Sequence, residues 1–271
     1  MLANKSRSIY QFAAQRTMSV LAGQNTKVVK NGDPAPSPPA SGTFRIYNMR
    51  FCPWAQRALI YASVKNIPSE VINIHLKEKP DWYFSKHYKG QVPALEHDEG
   101  KKHVIESAHI PEYLDDLFPE TRILPTDPYE KVQQKLLLER LGAIAPAFYG
   151  VAQIASKPEL KEEKFAELVK AFEQAEKLLS GEFYSGNSTP GFVDYLIYPN
   201  IQRVFWASHI LPDFPLASES FPGPNFPKLS KWYKTVDSIP EVAAASQPTA
   251  LGVGFFKEYL NGGNPNYDFG L

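Results

Sequence analysis

The sequence predicts a small α/β unit followed by an all-helical one, and three observations carry that reading. Strand-like and helix-like patterns succeed one another in the order βαβαββα between residues 44 and 119. After "FPETRILPTDPYE" (118–130) no convincing strand recurs before the C-terminus, so the remainder reads as helices. Ahead of both lies "DPAPSPPASG" (33–42), a Pro-rich stretch of the kind that forms an extended spacer. The expected division is therefore a disordered, basic and Pro-rich leader over 1–42, an α/β domain over 43–122 and a helical domain over 123–271.

The elements follow in order. "FRIYN" (44–48) alternates apolar and polar residues as a short strand does, and Ala55, Ala58, Leu59 and Ala62 then mark one face of a helix. "SEVINIHL" (69–76) reads as a second strand and "PDWYFSKHY" (80–88) as a short helix. "VPALEHDEGKKHVIES" (92–107) reads as two strands joined through the turn formers Asp98, Glu99 and Gly100. A helix follows over 107–119, with Pro111 near its first turn, where proline is tolerated. Further helices are expected over 128–156, 159–180, 193–211, 226–238 and 253–261, with kinks or breaks at Pro146 and Pro199.

A chain of 271 residues with 43% hydrophobic content can bury a full core. Lys plus Arg equals Asp plus Glu at 29 each, so the overall charge gives no reason to expect nucleic acid or an anionic surface as partner. One cysteine excludes an internal disulfide and a cysteine-cluster metal site, and it suits a reducing compartment such as the cytoplasm. No apolar run reaches the roughly 18 residues of a membrane-spanning helix. Before Asp33 the chain carries Lys5, Arg7, Arg16, Lys27 and Lys30 and no acid, the composition of a mitochondrial presequence. The main reading is a plain disordered leader, with translation also able to begin at Met18, and mitochondrial import stands as the alternative localisation.

The single thiol, Cys52, falls where the first strand gives way to the first helix, with Pro53 suited to that helix's first turn. The free amides and positive dipole end of the helix would favour a thiolate, well below the ~8.5 of a free cysteine. The bland alternative is a cysteine packed as a small hydrophobe. A redox dithiol would need a second cysteine at position 55, which is Ala55. A disulfide formed at Cys52 must then be released by a soluble thiol, of which glutathione is the abundant one in a reducing cell. Glutathione has two carboxylates and an α-amine, so its site calls for backbone amides, a cation and an acid. In "QVPALE" (91–96), a cis bond before Pro93 would leave the backbone of Val92 free to pair with an extended peptide, although only ~5% of X-Pro bonds are cis. In "IES" (105–107), Ser107 at a helix N-terminus could hold a carboxylate and Glu106 could accept from the amine, unless they are merely a cap and a first-turn acid. Lys79 could supply the cation or be a solvated lysine.

Taken together, "RIYNMRFCPWAQRALI", "VINIHLKEKPDWYF", "GQVPALE", "IESAHIPEYLDDLFP", "ILPTDPYEK", "DYLIYP" and the terminal "YDFGL" resemble the omega class of glutathione transferases over residues 43–271. The resemblance implies a thioredoxin-like N-terminal domain, an all-helical C-terminal domain and a homodimer. It implies thioltransferase and dehydroascorbate reductase activities, reduction of methylated arsenic acids, glutathione as co-substrate and no metal. By position it makes Cys52 the nucleophile, assigns glutathione to Lys79, Val92, Glu106 and Ser107 beside a cis Pro93, and sets Trp54, Arg203 and Tyr259 along the second-substrate pocket. Departures are Trp54 where the family often has phenylalanine, a pocket tryptophan replaced near Gly252 and Val253 that leaves more room or a different lid, and Gly191 in place of a capping Ser or Thr before Asp194. Two non-enzymatic readings compete. Chloride intracellular channel proteins resemble this fold and its Cys-Pro-aromatic start, but Lys65, Asn66 and Pro68 interrupt the stretch that would enter a membrane. A scaffold module of the same fold would have no use for Cys52.

Overall fold

In the computed structural model, which describes residues 20–217 and 219–271, β2 (Phe44–Asn48) is the strand around which the first unit is built. It pairs in parallel with β3 (Ser69–Asn73), Ile46 opposite Val71, and antiparallel with β4 (Ala94–His97), Ile46 opposite Leu95. β4 in turn pairs antiparallel with β5 (Lys102–Ile105) through a turn in which Asp98, Glu99 and Gly100 all have positive φ. Every residue of β2 is buried, although alternation suggested one polar face. The polar residue at its centre, Arg45, is buried because carboxylates meet it on neighbouring strands: Glu70 at 2.7 Å and Glu96 at 3.3 Å. Glu96 is fully buried and also receives the Tyr47 hydroxyl and the Lys86 ammonium, each at 2.6 Å.

The helix α1 (Pro53–Val64) connects β2 to β3 and is buried on nearly all sides, with Leu59, Ile60 and Tyr61 inside. At its far end the buried Lys65 ammonium meets Asp115 at 2.9 Å and the carbonyls of Phe118 and Thr121 at 3.2 and 2.7 Å. Asp115 belongs to α2 (His109–Leu117), so a buried ion pair ties the C-terminal ends of the two helices. The expected short helix near 80–88 is a 3-10 segment, Asp81–Ser85.

Part of the expected disordered leader, residues 20–33, is instead paired with the sheet. β1 (Leu21–Ala22) pairs in parallel with β3, giving, among the described residues, a five-stranded sheet in the order β1-β3-β2-β4-β5. The arm continues along the sheet edge: Val29 donates to the Asn73 carbonyl at 2.7 Å and accepts from His75 at 2.9 Å. Asn31 donates to the Glu78 carbonyl at 2.8 Å, and the Trp82 indole donates to the Asp33 carbonyl at 3.1 Å. The fully buried Asn73 amide donates to the carbonyls of Gln24 and Thr26. Such anchors satisfy edge groups of β3 that an unpaired strand would expose. The remainder of the presequence-like segment, residues 1–19, lies outside the described residues.

By contact the chain divides into two units: the described residues up to Thr121 with Ala244–Ser246 and Leu271, and Arg122–Ala243 with Gln247–Gly270. The second contains α3 (Pro128–Arg140), α4 (Ile144–Val151), α5 (Lys161–Leu178), α6 (Phe192–Ser208), α7 (Pro227–Asp237), α8 (Pro240–Ala244) and α9 (Thr249–Leu260), α8 ending within the segment Ala244–Ser246. The break expected at Pro146 falls instead at Leu141–Ala143, because Pro146 lies in the first turn of α4, where no backbone N–H is required. Nor does Pro199 end α6, which is buried along most of its length. Gly191 caps α6 without a side chain, yet Asp194 compensates by accepting from four donors: the backbone of Gly191, Tyr184 and Ser185 and the Trp232 indole, at 2.7–3.1 Å. A Cβ at position 191 would lie 2.6 Å from that of Ser185, which is why glycine stands where the fold's usual cap would be.

Candidate active site

Cys52 is the N-cap of α1, with extended backbone (φ −80°, ψ 120°) and Pro53 as the first helical residue. Its carbonyl accepts the first helical bond, from Gln56 at 3.1 Å, and its own N–H donates to Met49 at 2.8 Å. Cys52 forms no disulfide and the residue is 8% exposed. Ala55 is fully buried at the position where a dithiol would place its second sulfur.

Two groups near this thiol were not singled out from the sequence. Arg57, half-buried on α1, donates to the Ser107 hydroxyl at 3.1 Å and interacts electrostatically with Cys52. Burial pulls its guanidinium down to about 10, with the attraction of Cys52 opposing the fall. The sequence did hold a signal: Arg57 is the one charged residue of a helix that is apolar almost all round. Tyr83, fully buried, also interacts with Cys52, and its hydroxyl donates to the Gln91 carbonyl at 2.6 Å. Burial holds that phenol well above its ordinary range, so Tyr83 is a neutral group engaged elsewhere rather than a source of tyrosinate.

Of the other expected residues, Ser107 meets Arg57 directly and Val92 follows Gln91, the partner of Tyr83. The Val92–Pro93 bond is cis, and the β2–β4 ladder ends at Ala94, two residues beyond Val92. Lys79, half-buried, packs its stem against Gly90, where an added Cβ would come within 2.9 Å of Cδ and 2.8 Å of the Phe84 ring. Glu106 is exposed and left-handed (φ 73°), a conformation that costs a non-glycine residue of order 1–3 kcal/mol and recurs at ligand clamps. Its carbonyl accepts from His109 and Ile110, starting the turn into α2. Ser107 lies two residues ahead of the first residue of α2, and no side chain caps that helix. The cap reading of Ser107 therefore fails, and its hydroxyl serves Arg57 instead. Buried His87 interacts with Glu106, while burial keeps its imidazole below the usual histidine range. Cys52, Arg57, Ser107 and Glu106 thus form one connected run, and Cys52, Tyr83, Gln91 and Val92 another.

Family models for the N-terminal and C-terminal domains of glutathione S-transferase match residues 46–122 and 137–240. The chain is 80% identical over 254 residues to a probable glutathione transferase omega-2 of Caenorhabditis briggsae, across 94% of this chain and 100% of the relative. The chain belongs to the omega class of glutathione transferases. It is 34% identical to a glutathione S-transferase omega-2 of Rattus norvegicus, across 93% and 98% of the two chains. The solved glutathione transferase Omega 3C of Trametes versicolor shares the fold at a TM-score of 0.66 and 23% identity, across 84% and 92%. Glutathione is the co-substrate of this transferase family. Among the described residues no group of three or more His, Cys, Asp or Glu is placed to hold a metal.

The expected second-substrate residues fall in both units of the transferase. Trp54 is half-buried in the first turn of α1. Arg203 on α6 is fully enclosed, stacked 4.4 Å from the Trp206 ring and bonded to Gln202 at 2.8 Å. Tyr259 on α9 is half-buried, edge-on to Tyr149. Position 252 holds no spare room, because a Cβ there would lie 2.3 Å from the Trp206 indole. The space left by a side chain at 252 is filled from α6.

Proposed function

We propose that the enzyme is a glutathione-dependent thioltransferase and dehydroascorbate reductase that works through a Cys52–glutathione mixed disulfide. The observation that carries this reading is the chain's single cysteine, outside any disulfide, as the N-cap of α1, with alanine where a resolving cysteine would stand. In thiol transfer, the Cys52 thiolate attacks the glutathionyl sulfur of a mixed disulfide, forming Cys52–S–S–glutathione and expelling the substrate thiolate. A second glutathione thiolate then attacks the glutathionyl sulfur, releasing oxidised glutathione and restoring Cys52. With dehydroascorbate, Cys52 adds to a carbonyl carbon, and glutathione attacks the cysteine sulfur. The carbon–sulfur electron pair leaves with carbon to give ascorbate, and the mixed disulfide is resolved as before. Each dehydroascorbate reduced consumes two reduced glutathiones, whereas thiol transfer from a glutathionyl disulfide consumes one.

In this reading Lys79, Val92, Glu106 and Ser107 hold glutathione, next to Pro93. Trp54, Arg203 and Tyr259 are assigned to the second substrate on the resemblance, as is reduction of methylated arsenic acids. Self-association has its own support: α3 buries no residue within the chain and exposes Tyr129, Val132 and Leu136, the last lining, with Gln134, Leu137 and Arg140, a groove of about 540 Å³ on the helix's own surface. A second copy of the chain is the proposed cover.

The test is steady-state dehydroascorbate reduction and disulfide exchange by wild type and Cys52→Ala. Loss of both activities by at least a hundredfold in a folded variant is expected, on the scale of removing a nucleophile. Undiminished reduction by the alanine variant would leave the covalent route without a nucleophile. Among the described residues no helix is long and apolar enough to cross a membrane.

A further inference from the structure

Two helix starts converge in the first unit, at Cys52 and at the turn Glu106–Ser107 that leads into α2, and Arg57 is the cation between them. Its side chain leaves α1 five residues after Cys52, and helical side chains lean toward the N-terminus, so a long arginine returns its charge toward the nucleophile's end of the helix. There the guanidinium donates to the Ser107 hydroxyl at 3.1 Å while interacting with Cys52.

We propose that Arg57 is a positioning residue that couples the two ends of the glutathione site, holding Cys52 as thiolate and aiming the Ser107 hydroxyl at a carboxylate. The second part follows from hydrogen-bond inventory. A serine hydroxyl has one donor and two acceptor positions, and Arg57 can only donate. With an acceptor position on Ser107 Oγ taken by Arg57, the O–H is left to point at an incoming acceptor, and an α-carboxylate is the acceptor of that kind in glutathione. The first part follows from Coulomb attraction between the half-buried guanidinium and the buried Cys52 with which it interacts, since a cation near a thiol favours the ionised form. Once the mixed disulfide forms, the anion at Cys52 is discharged, and the same guanidinium serves the carboxylate side alone. Arg57 thus links the sulfur's charge state to the grip on glutathione. This inference rests on the proposed role of Cys52.

The test compares Arg57→Gln, Arg57→Lys and Ser107→Ala with wild type by two readouts: the pH dependence of iodoacetamide alkylation at Cys52, and KM for reduced glutathione against kcat. Arg57→Gln is expected to raise the alkylation midpoint by about one pH unit and to raise KM roughly tenfold. Arg57→Lys keeps the midpoint within a few tenths of a unit but shares the KM defect, since an ammonium lacks the guanidinium's fixed fork. Ser107→Ala raises KM and leaves the midpoint unchanged, and adding it to Arg57→Gln raises KM no further. An alkylation profile of folded Arg57→Gln that overlays wild type overturns the inference while leaving the covalent mechanism intact. Fully additive KM effects of the two substitutions would overturn the coupling. A wild-type thiol that takes up no glutathione from its disulfide would sink the covalent mechanism, and this inference with it.

Discussion

At the residue scale, the first unit relies on carboxylates that are buried only because several donors meet them. Burial acts to raise Glu96, but bonds from Lys86 and Tyr47 and the charges of Lys86 and Arg45 outweigh it and hold the carboxyl below its usual 4.5. A carboxyl depressed on folding adds stability above its unfolded pKa, and that contribution is lost as pH falls through the lower folded value. Thermal melts should therefore show stability falling below about pH 4.5, and Glu96→Gln should flatten that fall. At pH 7 the same variant should lose about 3 kcal/mol, because Lys86 stays behind without its carboxylate and Arg45 keeps only Glu70. Equal acid sensitivity in the variant would contradict this assignment. The strand containing Arg45 illustrates what patterning misses: Arg45 reads as the solvent face of a short strand, while its partners lie 25 and 51 residues away. Ser107 stood out in the sequence as a candidate, but its hydrogen-bond partner, Arg57, is fixed by tertiary approach.

Among elements, the arm over residues 20–33 was the least legible, since basic and Pro-rich composition describes an unattached tail equally well. What fixes it is backbone pairing with the β3 edge and the side chain of Asn73, neither of which leaves a trace in composition. Its anchors at Asn73, His75, Glu78 and Trp82 bracket Lys79, so the arm fastens the segment proposed to supply glutathione with a cation. Asn73→Leu would orphan the Gln24 and Thr26 carbonyls, at about 1–3 kcal/mol for each buried group left unpaired. Hydrogen exchange over residues 20–33 should rise and glutathione KM should increase severalfold, with the Cys52 alkylation profile unchanged. Protection equal to wild type would show that the pairing with β3 suffices. In the helical unit, the contact between α6 and α9 makes a sharper case. The exchange near Gly252 could be seen in the sequence, but the indole that fills the space comes from Trp206, 46 residues earlier. Gly252→Ala should cost about 1–3 kcal/mol through overpacking, because both the ring and the helix backbone are fixed. A melt unchanged by alanine would mean that Trp206 can move aside.

For the molecule as a whole, the order βαβαββα and the switch to helices near residue 120 were readable because each element carries its own periodicity and turn chemistry. Helix ends were less so: Pro146 and Pro199 are breakers by local rule, but a first-turn position excuses one and burial of α6 the other. For the exposed face of α3 the proposed cover is a second copy. Leu136→Glu should shift the protein from dimer to monomer in sedimentation at micromolar concentration, and an unchanged dimer would move the interface elsewhere. The most direct test of the thiol's role is intact mass of the wild-type protein after incubation with oxidised glutathione at neutral pH. One glutathionyl group should appear, map to Cys52 and disappear on adding excess reduced glutathione. A folded protein whose mass does not change would contradict the mechanism.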